Sequence, residues 1–148
     1  MKVRLKNPLP WRTTLTAVYL FGLAVVGFWP SPVDKPIQGT LDAILRCLHS
    51  HGVPRWFDYN FVEASANVVM FIPFGLLIAI TLPSKNWWQL TGVGLMASTC
   101  MELGQLLFIS ARFASLTDLV TNTSGAFIGI SLARLVVDRN PSRRRRAA

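Results

Sequence analysis

Cysteine and histidine are nearly missing from this chain, with two of each in 148 residues. Cys47 falls in a polar connection and Cys100 well inside an apolar stretch, at depths that differ by more than a disulfide can bridge. His49 and His51 form a lone His-x-His with no third ligand nearby, so neither a metal nor a cofactor is expected. A small-x-small cleavage site is absent after the first apolar stretch, where Phe28-Trp29-Pro30-Ser31-Pro32 stands. That favours a retained signal anchor over a removed signal peptide. There is no internal repeat, which disfavours a transporter built from two halves in one chain, although a homodimer would supply a second half. No nucleophile is paired with a base, so the usual sign of enzyme chemistry is missing.

What the chain does have is apolar residues gathered into runs, with 51% hydrophobic content and a mean hydropathy of +0.40. A membrane-spanning helix needs about 17–25 mostly apolar residues. Four runs approach or meet that length: 13–29, 62–82, 88–110 and 116–137. The expected fold is all-α, an integral membrane bundle of about four transmembrane helices. Residues 1–12 form a basic leader, 30–61 an extracytoplasmic loop, and 138–148 a basic tail.

The net charge of +8 suggests nucleic acid until its distribution is considered. With the amino terminus inside, Lys2, Arg4, Lys6, Arg12, Lys85, Arg134, Arg139 and Arg143 to Arg146 are cytoplasmic. Lys35, Arg46, Arg55 and Arg112 are outside. This asymmetry follows the positive-inside rule and places both termini in the cytoplasm. The arginine tail either sets topology or binds anionic lipid. The five tryptophans, Trp11, Trp29, Trp56, Trp87 and Trp88, fall at span ends or in the outer loop, as interfacial rings do. Nucleic acid is therefore not an expected partner; membrane lipid is.

Within the outer loop, Leu41, Ile44, Leu45 and Leu48 repeat at helical spacing, which predicts a short amphipathic helix near 40–51. Thr40 is a candidate cap at its start, and Gly52 followed by Pro54 a candidate end. The helix lies on the membrane surface, covers the bundle, or simply closes the loop. In the second span Pro73 removes a backbone donor and frees the carbonyl of Val69, predicting a kink. Short links on either side of the third span make sequential spans antiparallel neighbours.

Polar residues inside these apolar segments carry most of the functional information. A charged or amide side chain in hydrocarbon costs roughly 2.5–3.5 kcal/mol on insertion scales, so it usually faces a bundle interior or a wet cavity. Asn67, Glu102, Gln105, Asp118 and Asn122, with Glu63 nearby, fall within roughly 12 Å of the outer boundary at about 1.5 Å rise per residue. Glu102 and Gln105 share a face, with Ser98 one turn deeper; Asp118 and Asn122 share another. The second face continues through Gly125 and Gly129, a spacing that permits close helix approach. Arg112, in the turn between the third and fourth spans, is the cation of this cluster. Two readings follow. In one, the amides are interhelical hydrogen bonds and Arg112 neutralises a buried acid. In the other, the set lines a pocket for a polar or phosphorylated headgroup, with Arg112 as anion contact. An enzyme version would use Glu102 or Asp118 as general base.

The same residues resemble the VanZ-like family. Asn67-Val68-Val69-Met70-Phe71-Ile72-Pro73-Phe74-Gly75 resembles its first signature, and Glu102-Leu103-Gly104-Gln105 its Glu-x-x-Gln element. Arg112, Asp118, Asn122, Gly125 and Gly129 resemble its final motif, and the likeness covers about residues 60–133. The resemblance implies a small multi-pass protein of the bacterial cell membrane, associated with tolerance of teicoplanin-type glycopeptides. It also implies a role in the cell envelope, with a lipid-linked cell-wall precursor as a possible partner and a homo-oligomer as a possible assembly. No reaction is established for the family. Ser115 and Thr117 stand where the family often has further acids.

Overall fold

The computed structural model describes residues 11–29, 35–109 and 115–138. The leader up to residue 10, the tail beyond 138 and Arg112 lie outside the described residues. Regular structure among the described residues is entirely helical: α1 Trp11–Gly27, α2 Gln38–Ser50, α3 Tyr59–Thr81, α4 Trp87–Phe108 and α5 Leu116–Asp138.

Local polar chemistry sets the helix starts. Asp58 accepts from the backbone N–H of Phe61 at 2.9 Å, so α3 begins at Tyr59, three residues before the apolar run. Asn86 and Gln89 form a reciprocal capping box at the start of α4. A helix forms in the segment where one was expected near 40–51, but it begins at Gln38, and the preceding Ile37 gives no side-chain cap. Thr40 therefore sits inside α2. Gly52 follows α2 with a φ of +93°, a conformation that favours glycine.

Contacts between helices give their directions. Arg12 and Thr16 meet Ile80 and Thr81, while Tyr19 reaches Met70, so α1 and α3 are antiparallel. Arg134 reaches the carbonyl of Lys85, and Asn122 reaches Ser98, so α4 and α5 are antiparallel. In contrast, Gly125 lies against Val68 and Gly129 against Ile72, so α3 and α5 run parallel. The long helices thus alternate in direction along the chain. The cavity described below is built at the end holding the C-terminus of α1 and the N-terminus of α3.

The most extensive packing joins α3 and α5, which are not adjacent in sequence. A Cβ placed on Gly75 would collide with the carbonyl of Ala126, and one on Gly125 or Gly129 with the carbonyls of Val68 or Ile72. Backbone rests on backbone along this seam, which small residues alone permit. Pro73 lies within α3. Nearby, the Tyr19 hydroxyl donates to the carbonyl of Met70 at 2.7 Å, a tertiary bond to the helix backbone in the proline region. Around the seam, Phe71, Phe74, Ile78, Leu90, Ala126 and Ile130 form the buried core.

The exterior is strongly apolar. Phe21, Leu107, Phe108 and Val136 are each at least 70% exposed. Two helices, Tyr59–Thr81 and Leu116–Val136, are long and apolar enough to cross a membrane; α1 is apolar but shorter, at 17 residues. α4 has 22 residues, but Glu102, Gln105 and several glycines and threonines dilute its hydropathy.

Candidate functional site

α5 begins at Leu116, preceded by Ser115, whose hydroxyl accepts from the backbone N–H of Asp118 at 3.4 Å. The backbone N–H of Ser115 donates to Glu102 Oε2 at 2.8 Å. One residue thus caps α5 and ties its start to α4. One turn further along, the Asn67 amide donates to Asp118 Oδ1 at 2.9 Å, joining α3 to α5. The Asn122 amide donates to the Ser98 hydroxyl at 3.2 Å, joining α5 to α4. The Gln105 amide donates to the carbonyl of Gly27 at 2.9 Å, satisfying an end carbonyl of α1. Four helices are connected at one level by these bonds.

These side chains surround a cavity of about 570 Å³. Glu63, Asn67, Glu102, Gln105, Asp118 and Asn122 supply its polar lining. Leu23, Val26, Met70 and Met101 line its apolar side, and Ile37 and Leu41 bring the start of α2 to its wall. Glu102, Gln105 and Asn122 are buried, at 6%, 5% and 3% exposure, so their polar heads lie inside the protein. Asn67 and Asp118 are partly buried, and Glu63 is exposed along much of its surface. A volume of this size is in the range of small-molecule sites, and the mixture of apolar wall and few convergent polar groups is their usual composition.

Five of the six pocket residues singled out from sequence therefore meet around one cavity; the sixth, Arg112, lies outside the described residues. Gly125 and Gly129 lie on the α3-facing side of α5 and Pro73 on an exposed part of α3, away from the cavity lining. Among the described residues no group of three or more histidine, cysteine or acidic side chains is placed to hold a metal ion.

The VanZ/LLP1 family model matches residues 16–137. The chain belongs to the VanZ/LLP1 family. It is also 36% identical over 73 residues to Protein VanZ of Enterococcus faecium. That alignment takes in 49% of this chain and 45% of the relative, so the chain spans less than half the length of the curated protein it matches. No solved structure matches it. The family match begins inside α1 and includes α2, so it reaches well beyond the three motifs at residues 60–133.

Sequence reasoning missed several contributors. Gly75 is the small residue on α3 that receives α5, and the first signature contains it without revealing its role. Tyr59, one turn before Glu63, lines the cavity; the i,i+4 spacing was the available signal. Ser115, which drew notice in the sequence only as a departure from the resemblance, caps α5 and donates its backbone N–H to Glu102. The contribution of Ile37 had no signal in the periodicity.

Proposed function

We propose that this family member is a multi-pass protein of the bacterial cell membrane whose polar cavity opens at the outer leaflet. The cavity holds a lipid or a lipid-linked cell-wall precursor, and its occupancy alters tolerance of teicoplanin-type glycopeptides. The observation that carries this reading is the convergence of Asn67, Glu102, Gln105, Asp118 and Asn122 on one cavity of about 570 Å³ with an apolar wall. Helix packing by itself does not require so large a space beside the buried carboxylate of Glu102.

Orientation follows from the two ends of the bundle. Arg12, Lys85 and Arg134 gather at the end away from the cavity, where Arg12 and Arg134 bond the carbonyls of Ile80 and Lys85. Trp11, Trp87 and Trp88 lie at that same end, with Trp87 and Trp88 stacked at 3.8 Å. The positive-inside rule makes that end cytoplasmic. Trp29 and Trp56 are exposed at the cavity end, where a second interface belongs. In this reading α1, α3, α4 and α5 all span, and α2 is the amphipathic helix at the outer surface, with Leu45 turned inward. In the same reading Arg112, which lies outside the described residues, is the anion contact for a phosphorylated headgroup.

A second reading is favoured by one observation: Asn67, Gln105 and Asn122 each donate to a neighbouring helix. Such bonds contribute about 0.6–2 kcal/mol each to helix association, and the cluster then only holds the bundle together. The deciding experiment is glycopeptide susceptibility in a deletion strain complemented with wild type, Glu102→Gln or Arg112→Ala at matched membrane abundance. Loss of tolerance with normal abundance supports the pocket. Wild-type tolerance from both variants leaves the cluster a packing device and removes any acid–base role for Glu102.

A further inference from the structure

A second recess, of about 430 Å³, lies in the crevice between α4 and α5, apart from the polar cavity. Leu95 of α4 and Leu119, Val120 and Phe127 of α5 line it. Leu95, Val120 and Phe127 are exposed, so the crevice is on the outside of the bundle. Thr91 and Thr123 line it too, but their hydroxyls donate to the carbonyls of Trp87 and Leu119 in their own helices, at 2.9 and 2.7 Å. The wall is therefore mostly apolar. From Leu119 to Phe127 it runs roughly 12 Å along α5, at about 1.5 Å per residue.

One end of this crevice changes character. Phe127, Ser131 and Arg134 follow at i, i+4 and i+7 and share a face of α5. Trp87 meets the Phe127 ring at 5.9 Å and stacks on Trp88 at 3.8 Å. Two residues before Trp87, the Lys85 carbonyl accepts from the Arg134 guanidinium at 2.6 Å. An apolar crevice, an aromatic pair and two cations thus succeed one another toward the end of the bundle. Lys85 and Arg134 are both exposed, and among the described residues neither is paired with an acid. Arg134 has further N–H groups beyond the one used on Lys85.

Lipid tails cover any apolar surface of a membrane protein; the charge at its end singles this one out. A zwitterionic lipid supplies the tail but brings a cation of its own. A second copy in the same orientation brings another Lys85 and Arg134 to the same depth, where like charges oppose contact. An anionic phospholipid supplies both the tail and an unopposed negative charge. We propose that the crevice between α4 and α5 binds an anionic phospholipid, with a tail along Leu95, Val120 and Phe127 and the phosphate at Lys85 and Arg134. Trp87 and Trp88 stand beside its glycerol region, where aromatic rings lie at membrane interfaces. This site takes from the reading above only its orientation, which makes the leaflet the inner one.

The test is a titration of the full chain in nonionic detergent, read by native mass spectrometry. The probes are phosphatidylglycerol and phosphatidylcholine with identical tails. Expected is tighter binding of phosphatidylglycerol, with Lys85→Gln and Arg134→Gln each weakening it about fivefold. Fivefold converts to about 1 kcal/mol, the size of one cation's contribution near an anionic surface. Ser124→Phe, at an exposed position in the crevice wall, fills the space and should weaken phosphatidylglycerol at least fivefold with both cations intact. Val120→Trp serves the same purpose should the first variant not fold. Equal binding of the two lipids overturns the proposal. So does a phosphatidylglycerol preference that survives both cation substitutions, or one that survives filling of the crevice, since it then belongs to diffuse attraction elsewhere on the chain. A lipid-free dimer that Ser124→Phe dissolves assigns the crevice to a second copy and overturns it too. None of these results bears on the polar cavity, whose own test is tolerance.

Discussion

Replacing Gly129 by alanine adds a single methyl group at the point where α5 rests on α3. Built in place, that Cβ collides with the carbonyl of Ile72 and lies 2.7 Å from the backbone nitrogen of Leu76. Both are backbone atoms of a helix, so no flexible side chain can swing aside. Relief requires the helices to separate or slide by roughly the shortfall from ordinary contact, and overpacking of this kind costs about 1–3 kcal/mol. Glycine to alanine also raises helix propensity by about 0.8–1.0 kcal/mol, which partly masks the clash. Gly92→Ala removes that ambiguity, because Gly92 is likewise helical but a Cβ there meets nothing within 4 Å. Both variants gain propensity, so their difference isolates packing. Equilibrium unfolding in mixed detergent micelles should place Gly129→Ala about 1–3 kcal/mol below Gly92→Ala. A gap under ~0.5 kcal/mol, the usual range for a surface change, would refute the claim that α3 and α5 touch through their backbones.

Other expectations follow from single contacts. Gln105→Leu removes the bond to the Gly27 carbonyl and should lower stability by about 0.6–2 kcal/mol, more than Thr99→Val, whose hydroxyl bonds only within its own helix; equal losses would show that the α1 contact contributes nothing. Cys47 is exposed on α2 and Cys100 is exposed on the mid-section of α4. An impermeant maleimide applied to whole cells should label Cys47 and spare Cys100, whereas labelling of Cys47 only in inverted vesicles would reverse the proposed orientation. Tyr19→Phe should destabilise by about 0.5–1.5 kcal/mol through the lost bond to Met70, and an unchanged unfolding midpoint would mean that water or a neighbour replaces the phenol.

Hydropathy located the helices because each long element is apolar over most of its length, and that signal does not depend on partners. It placed the start of α3 at Val62, three residues late, because the cap at Asp58 is polar and hydropathy does not see it. Asn86 and Gln89 had the spacing of a capping box and would have marked the start of α4 had capping been weighed there. The pairing of α3 with α5 was less legible. Short links on both sides of α4 draw attention to sequential neighbours, and they say nothing about which pair is closest. Only the coincidence of Gly75 with Gly125 and Gly129 carries that information, and glycine on a helix reads equally well as a lipid-facing or a packed residue.

The polar set was legible as residues at one depth, because rise per residue and alternating direction suffice for that. Whether those residues surround space or only bond one another depends on distances that sequence does not hold. Here both occur, and one cause links them. Backbone contact at Gly125 and Gly129 draws the start of α5 against α3, which brings Asp118 to Asn67 at 2.9 Å. On the other side of α3, Met70 stands at the cavity wall, together with Leu23 of α1. The tight seam and the open cavity are therefore two sides of the same helix. A methyl group at Gly129 should disturb the second through the first, lengthening the Asn67–Asp118 bond more than the Asn122–Ser98 bond, which joins α5 to α4 and does not cross the seam. Tolerance lost by Gly129→Ala at normal abundance, with Gly92→Ala unaffected, would tie the seam to the pocket, while equal tolerance from both would show that the cavity keeps its shape without it.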